Sequence, residues 1–290
     1  MRAISWSGIR RAIVFGTMGV LFVVLAGTTY QGVATALERR QLPHPGNLVD
    51  VGGHQLHIDC VGEGRPVVIL EAPAMAMSAV WGWVRQDLAS RTRVCGYDRS
   101  GLGWSEAGDH GYDPSRAIDE LKVLLERGKE SRPYVLVGQE FGAALAAAYA
   151  TRYRSDVAAL ILIDSPTQTE RLDRSSMMRF ADSWPWLARV GVLRGTHLLS
   201  RRADGLPGAS AAALSAFLNR PDHLTRSAGE LSRWDDTLRL GSAVPTDAGL
   251  RVLRLEAGGT IRFAGLNDSA QARVVSAAIA NVVETVRISR

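Results

Sequence analysis

Four runs of apolar, β-favouring residues constrain this chain more than any other feature, because none shows the polar alternation of a half-exposed strand. They read PVVILE (Pro66–Glu71), RVCGY (Arg93–Tyr97), YVLV (Tyr134–Val137) and ALILI (Ala159–Ile163). Strands of this kind are covered on both faces, and the stretches between them predict the covering helices at Trp81–Ser90, Pro114–Lys129 and Phe141–Tyr153. Asp113, directly before Pro114, supplies a cap for the second helix, and proline suits its first position. Upstream, Leu48–Val51 and Gln55–Cys60 flank Gly52-Gly53 and predict a hairpin. The expectation is an α/β chain with a mostly parallel central sheet between helices.

The rhythm lapses after Pro166, so residues 166–245 are expected to form a helical lid containing Trp184-Pro185-Trp186 and the Ala-rich run Ala209–Phe217. Strand character returns at Leu250–Leu255 and again at Ile261–Ala264, and Ser269–Arg287 reads as a closing amphipathic helix. With 290 residues and 46% hydrophobic content, the chain supports one large core, 48–165 plus 246–290, and a subordinate lid.

No charged side chain lies between Arg11 and Glu38, and Ala12–Thr28 reads AIVFGTMGVLFVVLAGT. That is close to the ~20 residues a helix needs to cross a bilayer. A transmembrane helix is expected over 12–32, with a linker over 33–47. Arg2, Arg10 and Arg11 put residues 1–11 in the cytoplasm and the folded domain outside, in the periplasm or beyond the cell membrane. A cleaved signal peptide is the competing reading, since Ala34-Thr35-Ala36 has the small-residue pattern of a cleavage site, but it lies well past the apolar run. The net charge of +5 does not point to nucleic acid, because the basic residues are scattered outside the N-terminus and Arg201-Arg202.

The hairpin, the strands, and VLVGQEFGA at a strand-to-helix turn together resemble the α/β-hydrolase superfamily. The likeness is closest to its bacterial membrane-tethered members, through GGHQLHIDCVGEGRPVVILEA, TRVCGYDRSGLGWS, PYVLVGQEFGA and ALILIDSP. The resemblance implies a nucleophile elbow at Gly138, Gln139, Glu140, Phe141 and Gly142, where the family's G-x-S-x-G places a serine. Here Glu140 replaces it. The family's histidine should follow the last strand, yet the histidines are His44, His54, His57, His110, His197 and His223, and Gly265 falls at the expected place. The oxyanion loop reads Ala72-Pro73-Ala74, and proline has no N–H to donate. Loss of nucleophile, base and donor leaves little beyond binding.

In relatives such as the haloalkane dehalogenases and epoxide hydrolases an aspartate at the elbow attacks carbon, and Glu140 is the residue that would imitate it on an ester, epoxide or alkyl halide. Such an intermediate needs a histidine-activated water to turn over. The plainer expectation is a first-turn carboxylate kept charged by the helix N-terminus. The same family places the strands bearing Cys60 and Cys95 side by side, and an oxidising compartment permits a disulfide there, although two small buried thiols is the favoured expectation.

Asp98-Arg99 is read as loop structure and Asp164 as a strand-end residue that satisfies backbone. Glu256 and Asp268 fall near the family's acidic position but have no histidine to orient. His54, His57 and Cys60 lack metal-ligand spacing, and no metal or cofactor is expected. Phe180, Met177-Met178, Trp184 and Trp186 are expected to fill the lid core, the alternative being a face for membrane or partner. The function expected is that of a catalytically degenerate accessory subunit of a membrane complex, or a ligand binder, with membrane proteins and the lipid bilayer as partners.

Overall fold

A computed structural model describes residues 6–166, 180–244, 250–255 and 266–289. The strands are β1 (Asn47–Asp50), β2 (Gln55–Val61), β3 (Val67–Glu71), β4 (Val94–Tyr97), β5 (Tyr134–Gln139), β6 (Val157–Ile163) and β7 (Arg251–Leu255). Among the described residues they form one sheet in the order β1-β2-β4-β3-β5-β6-β7. The β1–β2 and β2–β4 pairings are antiparallel, and every pairing from β4 through β3 to β7 is parallel.

α1 (Trp6–Gln41) precedes the sheet and touches the lid, and the helices α2 (Gly82–Leu88), α3 (Pro114–Arg127) and α4 (Phe141–Arg152) alternate with the strands. Between β6 and β7 lie the lid helices α5 (Trp184–Arg189), α6 (Val192–Thr196), α7 (Gly208–Phe217), α8 (Pro221–Ser232) and α9 (Trp234–Gly241), and α10 (Ser269–Ile288) closes the chain. β3 and β5 are buried along their whole length, as their continuous apolar sequences require. α3 buries Ala117, Ile118, Leu121, Leu124 and Leu125, one stripe at helical spacing, each leucine worth ~1.5–3 kcal/mol against exposure. Asp113 caps α3 by accepting from the N–H of Arg116. α4 is buried from Phe141 to Ala150, where its alanines allow close approach to the sheet.

Three expectations change. The stretch 33–47 is helical as far as Gln41 rather than a linker, because helix-forming residues continue past the apolar run and Arg39 and Arg40 complement the C-terminal dipole. Cys60 and Cys95 are joined in a disulfide, since they are directly opposed in the β2–β4 register, so the favoured expectation of two thiols is corrected. Trp184 fills the lid core, but Trp186 and Phe180 point outward. Met177-Met178, Glu256, Gly265 and the strand expected at 261–264 lie outside the described residues. α1 is long and apolar enough to cross a membrane.

Candidate functional site

β5 ends at Gln139 and α4 begins at Phe141, so Glu140 alone turns the chain. Its backbone lies at φ 49° and ψ −115°, a region that a residue with a side chain occupies only when its surroundings compel it. Two glycines allow that compulsion. A Cβ on Gly138 would stand 2.3 Å from the carbonyl oxygen of Gly142, and one on Gly142 would stand 2.5 Å from those of Glu71 and Ala72. The N–H of Glu140 donates to the Ile163 carbonyl at 2.9 Å and ties the turn to β6. Gln139 and Phe141 are buried beside it, the Phe141 ring against Tyr112 and Trp234.

Over this turn lies a cavity of about 50 Å³ whose lining includes Pro73, Met75, Glu140, Arg202, Leu214 and Asn267. That volume holds a few water molecules or a small molecule. Burial pushes the Glu140 carboxyl up to about 7; Asp164 pushes it the same way, and Arg202 opposes them. The Glu140 side chain does not cap α4. The expected charged first-turn carboxylate is therefore corrected, because desolvation outweighs a dipole term of ~0.3–1 kcal/mol. Arg202 is itself lowered by burial and sustained by Glu140.

The loop after β3 is engaged internally. The N–H of Met75 donates to Glu230 Oε2 on α8 at 2.9 Å, and that of Ala76 to the Pro73 carbonyl at 3.3 Å. Arg99 organises this corner, with Nη1 2.6 Å from Glu71 Oε1, Nε 2.6 Å from Glu230 Oε1, and further bonds to the carbonyls of Ala72 and Pro73. Tyr97 donates its hydroxyl to the other oxygen of Glu71. Burial alone would lower the Arg99 pKa, but Glu230 and Glu71 raise it well above its ordinary value.

No histidine is among the described residues lining the elbow cavity. His57 is buried with Nδ1 3.0 Å from Asp98 Oδ2 and Nε2 2.6 Å from the Pro45 carbonyl, so both nitrogens face acceptors. Two acceptors suit a ring that donates from both nitrogens, and although burial would lower its pKa, Asp98 and Pro45 raise it. Asp98 also accepts from the N–H groups of Ser78 and Trp104, and despite its burial His57, with these two donors, holds it below the usual range. His223 accepts from the Gly103 N–H on Nδ1, so its Nε2 donates to the Met75 carbonyl, and burial keeps it neutral. His54, in the turn between β1 and β2, stands 3.5 Å from Glu120 on α3.

Asp98-Arg99 does organise loops, whereas Glu71 and Glu230 were not singled out in the sequence. The one hint was a charged residue ending an otherwise apolar strand. Asp164 donates its N–H to the Leu255 carbonyl, and Asp268 caps α10. Among the described residues, metal-type donors converge only at Cys60, Cys95 and Glu130, but the two sulfurs are bonded to each other and Glu130 is held by Arg93.

A sequence profile described as the alpha/beta hydrolase fold matches residues 65–237. The 2-hydroxy-6-oxo-2,4-heptadienoate hydrolase of Pseudomonas putida is 32% identical over 122 residues, 41% of this chain and 44% of that protein. The chain spans less than half the length of the curated relatives it matches. The Cif epoxide hydrolase from Acinetobacter nosocomialis superposes with a TM-score of 0.67 at 12% identity, covering 88% of this chain and 96% of that one. The haloalkane dehalogenase DatA from Agrobacterium tumefaciens gives 0.60 at 18% identity, covering 81% and 96%. At these identities the structural likeness is one of fold.

Proposed function

Because this chain belongs to the alpha/beta hydrolase fold family, we propose that it is a membrane-anchored, catalytically silent member whose elbow binds rather than turns over. The observation that carries this reading is the elbow cavity itself, which is lined by both Glu140 and Arg202 and contains no imidazole among its described lining. Each histidine with a hydrogen-bond role near the sheet is committed elsewhere, His57 to Asp98 and His223 to Met75. A carboxyl with a pKa of about 7 is also half protonated at neutral pH, which weakens it as a nucleophile.

α1 crosses the membrane as a signal anchor, with Arg10 and Arg11, ahead of its apolar stretch, on the cytoplasmic side and the domain in an oxidising exterior that suits the Cys60–Cys95 disulfide. The domain serves as an accessory subunit of a membrane-protein assembly, and its cavity takes a small molecule that can face both a carboxyl and a guanidinium. Purification in mild detergent should then yield a stoichiometric membrane partner, and a solitary protein would remove the subunit role.

One reading of the opposite kind has an observation in its favour, since the elbow keeps the strained backbone of a nucleophile. In it, Glu140 attacks carbon, a halide leaves or an epoxide C–O bond opens, and an ester remains. Intact-mass measurement after incubation with an alkyl halide and with an epoxide separates the two. No adduct on Glu140 is expected; a stoichiometric mass gain lost in Glu140→Gln would establish the nucleophile instead.

A further inference from the structure

The anchor helix is packed on the lid. Its partly or fully buried residues beyond the midpoint are Gly27, Gln31, Ala34, Thr35 and Glu38, a single stripe at helical spacing. At Gly27 the approach is so close that a Cβ would stand 2.1 Å from the carbonyl oxygen of Val190, at the end of α5. One turn on, the Gln31 amide donates to the Asn219 carbonyl at 2.7 Å and accepts from Arg194 Nε at 3.0 Å. Arg194 also pairs with Glu38, and Arg220 approaches the same carboxylate at 3.7 Å.

This dock fixes the height of the lid relative to any bilayer that α1 crosses. The hydrocarbon would begin near Ala12, just past Arg10 and Arg11, and extend for ~30 Å. Gly27 comes roughly 15 residues later, about 22 Å along the helix. The helix contact at Val190 therefore falls short of the outer edge of the hydrocarbon rather than clear above it. The lid segment that carries this contact exposes Phe180 (62%), Trp186 (68%), Val192 (43%) and Leu198 (62%). Arg189 stacks on Trp186 at 4.9 Å, the pairing of aromatic body and cation that headgroup layers favour.

We propose that α5, α6 and the turn through Leu198 are seated in the outer interface of the bilayer, so that lipid is the occupant of the lid's exposed apolar face. The proposal rests on α1 as a membrane span, and the depth of the Gly27 contact is what selects lipid over a protein partner.

Both native cysteines are in the disulfide, so single introduced cysteines can be spin-labelled cleanly. The full chain is reconstituted in nanodiscs of phosphatidylcholine and phosphatidylglycerol. Leu21→Cys reports on the span, Leu198→Cys on the lid, and Glu63→Cys on the loop before β3, at the opposite end of the parallel strands. Collision with oxygen, which concentrates in lipid, is compared with collision with a water-soluble nickel chelate. The oxygen-to-nickel ratio is expected to be severalfold higher at 21 and 198 than at 63, and Gly27→Leu, which wedges the dock yet keeps the span apolar, should lower it at 198.

A label at 198 as nickel-accessible as one at 63, with 21 still in lipid, overturns the lid seat and leaves the anchor standing. Shielding of 198 from both reagents overturns lipid as the occupant in favour of protein. Water access at 21 overturns the anchor and the seat together. If Gly27→Leu fails to fold, the comparison of 198 with 63 decides alone; if it folds and 198 is unmoved, the dock is not what holds the lid.

Discussion

Two charged corners lie at the same end of the sheet, and they are built differently. At the Asp98-Arg99 corner every charge is matched: Arg99 lies between Glu71 and Glu230, and Asp98 takes His57 and two backbone N–H groups. At the elbow Glu140 lines a cavity with Arg202, and burial pushes its carboxyl up to about 7. Buried charge with a full set of partners fixes loop geometry, while buried charge left partly unmatched stays able to respond to proton or ligand. The first corner ties the loop after β3 to α8 and Arg99; the second marks where binding would register.

The sharpest way to break this contrast is Arg99→Ala, which strands two buried carboxylates. It should cost about 3–5 kcal/mol in denaturant unfolding, a large share of the ~5–15 kcal/mol that holds a typical protein folded. His57→Leu should cost less, about 1.5–3 kcal/mol, because Asp98 keeps its backbone donors. Its effect depends on pH in a defined sense. The raised pKa of His57 gives stability that is complete below the ordinary histidine value and fades as pH climbs through the folded value. The lowered pKa of Asp98 gives stability present above the ordinary aspartate value and lost as pH falls below it. The cost of His57→Leu, followed by unfolding across pH, should therefore be greatest in the mildly acidic range between those ordinary values.

The elbow should behave in the opposite way. The folded state holds the Glu140 proton until about pH 7, whereas the unfolded chain releases it near the ordinary value of 4.5, so stability falls as pH rises between them. Glu140→Gln removes that penalty. It should match the parent at pH 4 and exceed it by about 1–2 kcal/mol at pH 8, once the carboxyl's partial exposure is discounted. Arg202→Met should have the smallest effect on stability, yet it should move the Glu140 titration above 7, readable by carboxyl NMR; an unmoved titration would mean that Arg202 does not sense Glu140.

The sheet was legible because strands buried on both faces must be apolar throughout, and VVILE and YVLV could be little else. The elbow was legible because two glycines four residues apart admit a close crossing of strand and helix. The Glu71–Arg99–Glu230 arrangement was not, since Glu230 is 131 positions from Arg99 along the chain and lies on a lid helix with no motif. A helix N-terminus alone favours a charged Glu140, whereas burial pushes its carboxyl up to about 7, because desolvation depends on what covers a group rather than on its neighbours in sequence.

By itself, then, the sequence determined the strand order's raw material, the elbow, the missing serine and histidine, and an apolar segment of membrane length, all of which are local properties of residue type and spacing. Only the tertiary structure decided that Cys60 and Cys95 are bonded, that α1 grips the lid through Gly27 and Gln31, and which buried charges are matched. Those outcomes depend on distances between segments far apart in the chain, and pairing, close approach and desolvation are set by such distances.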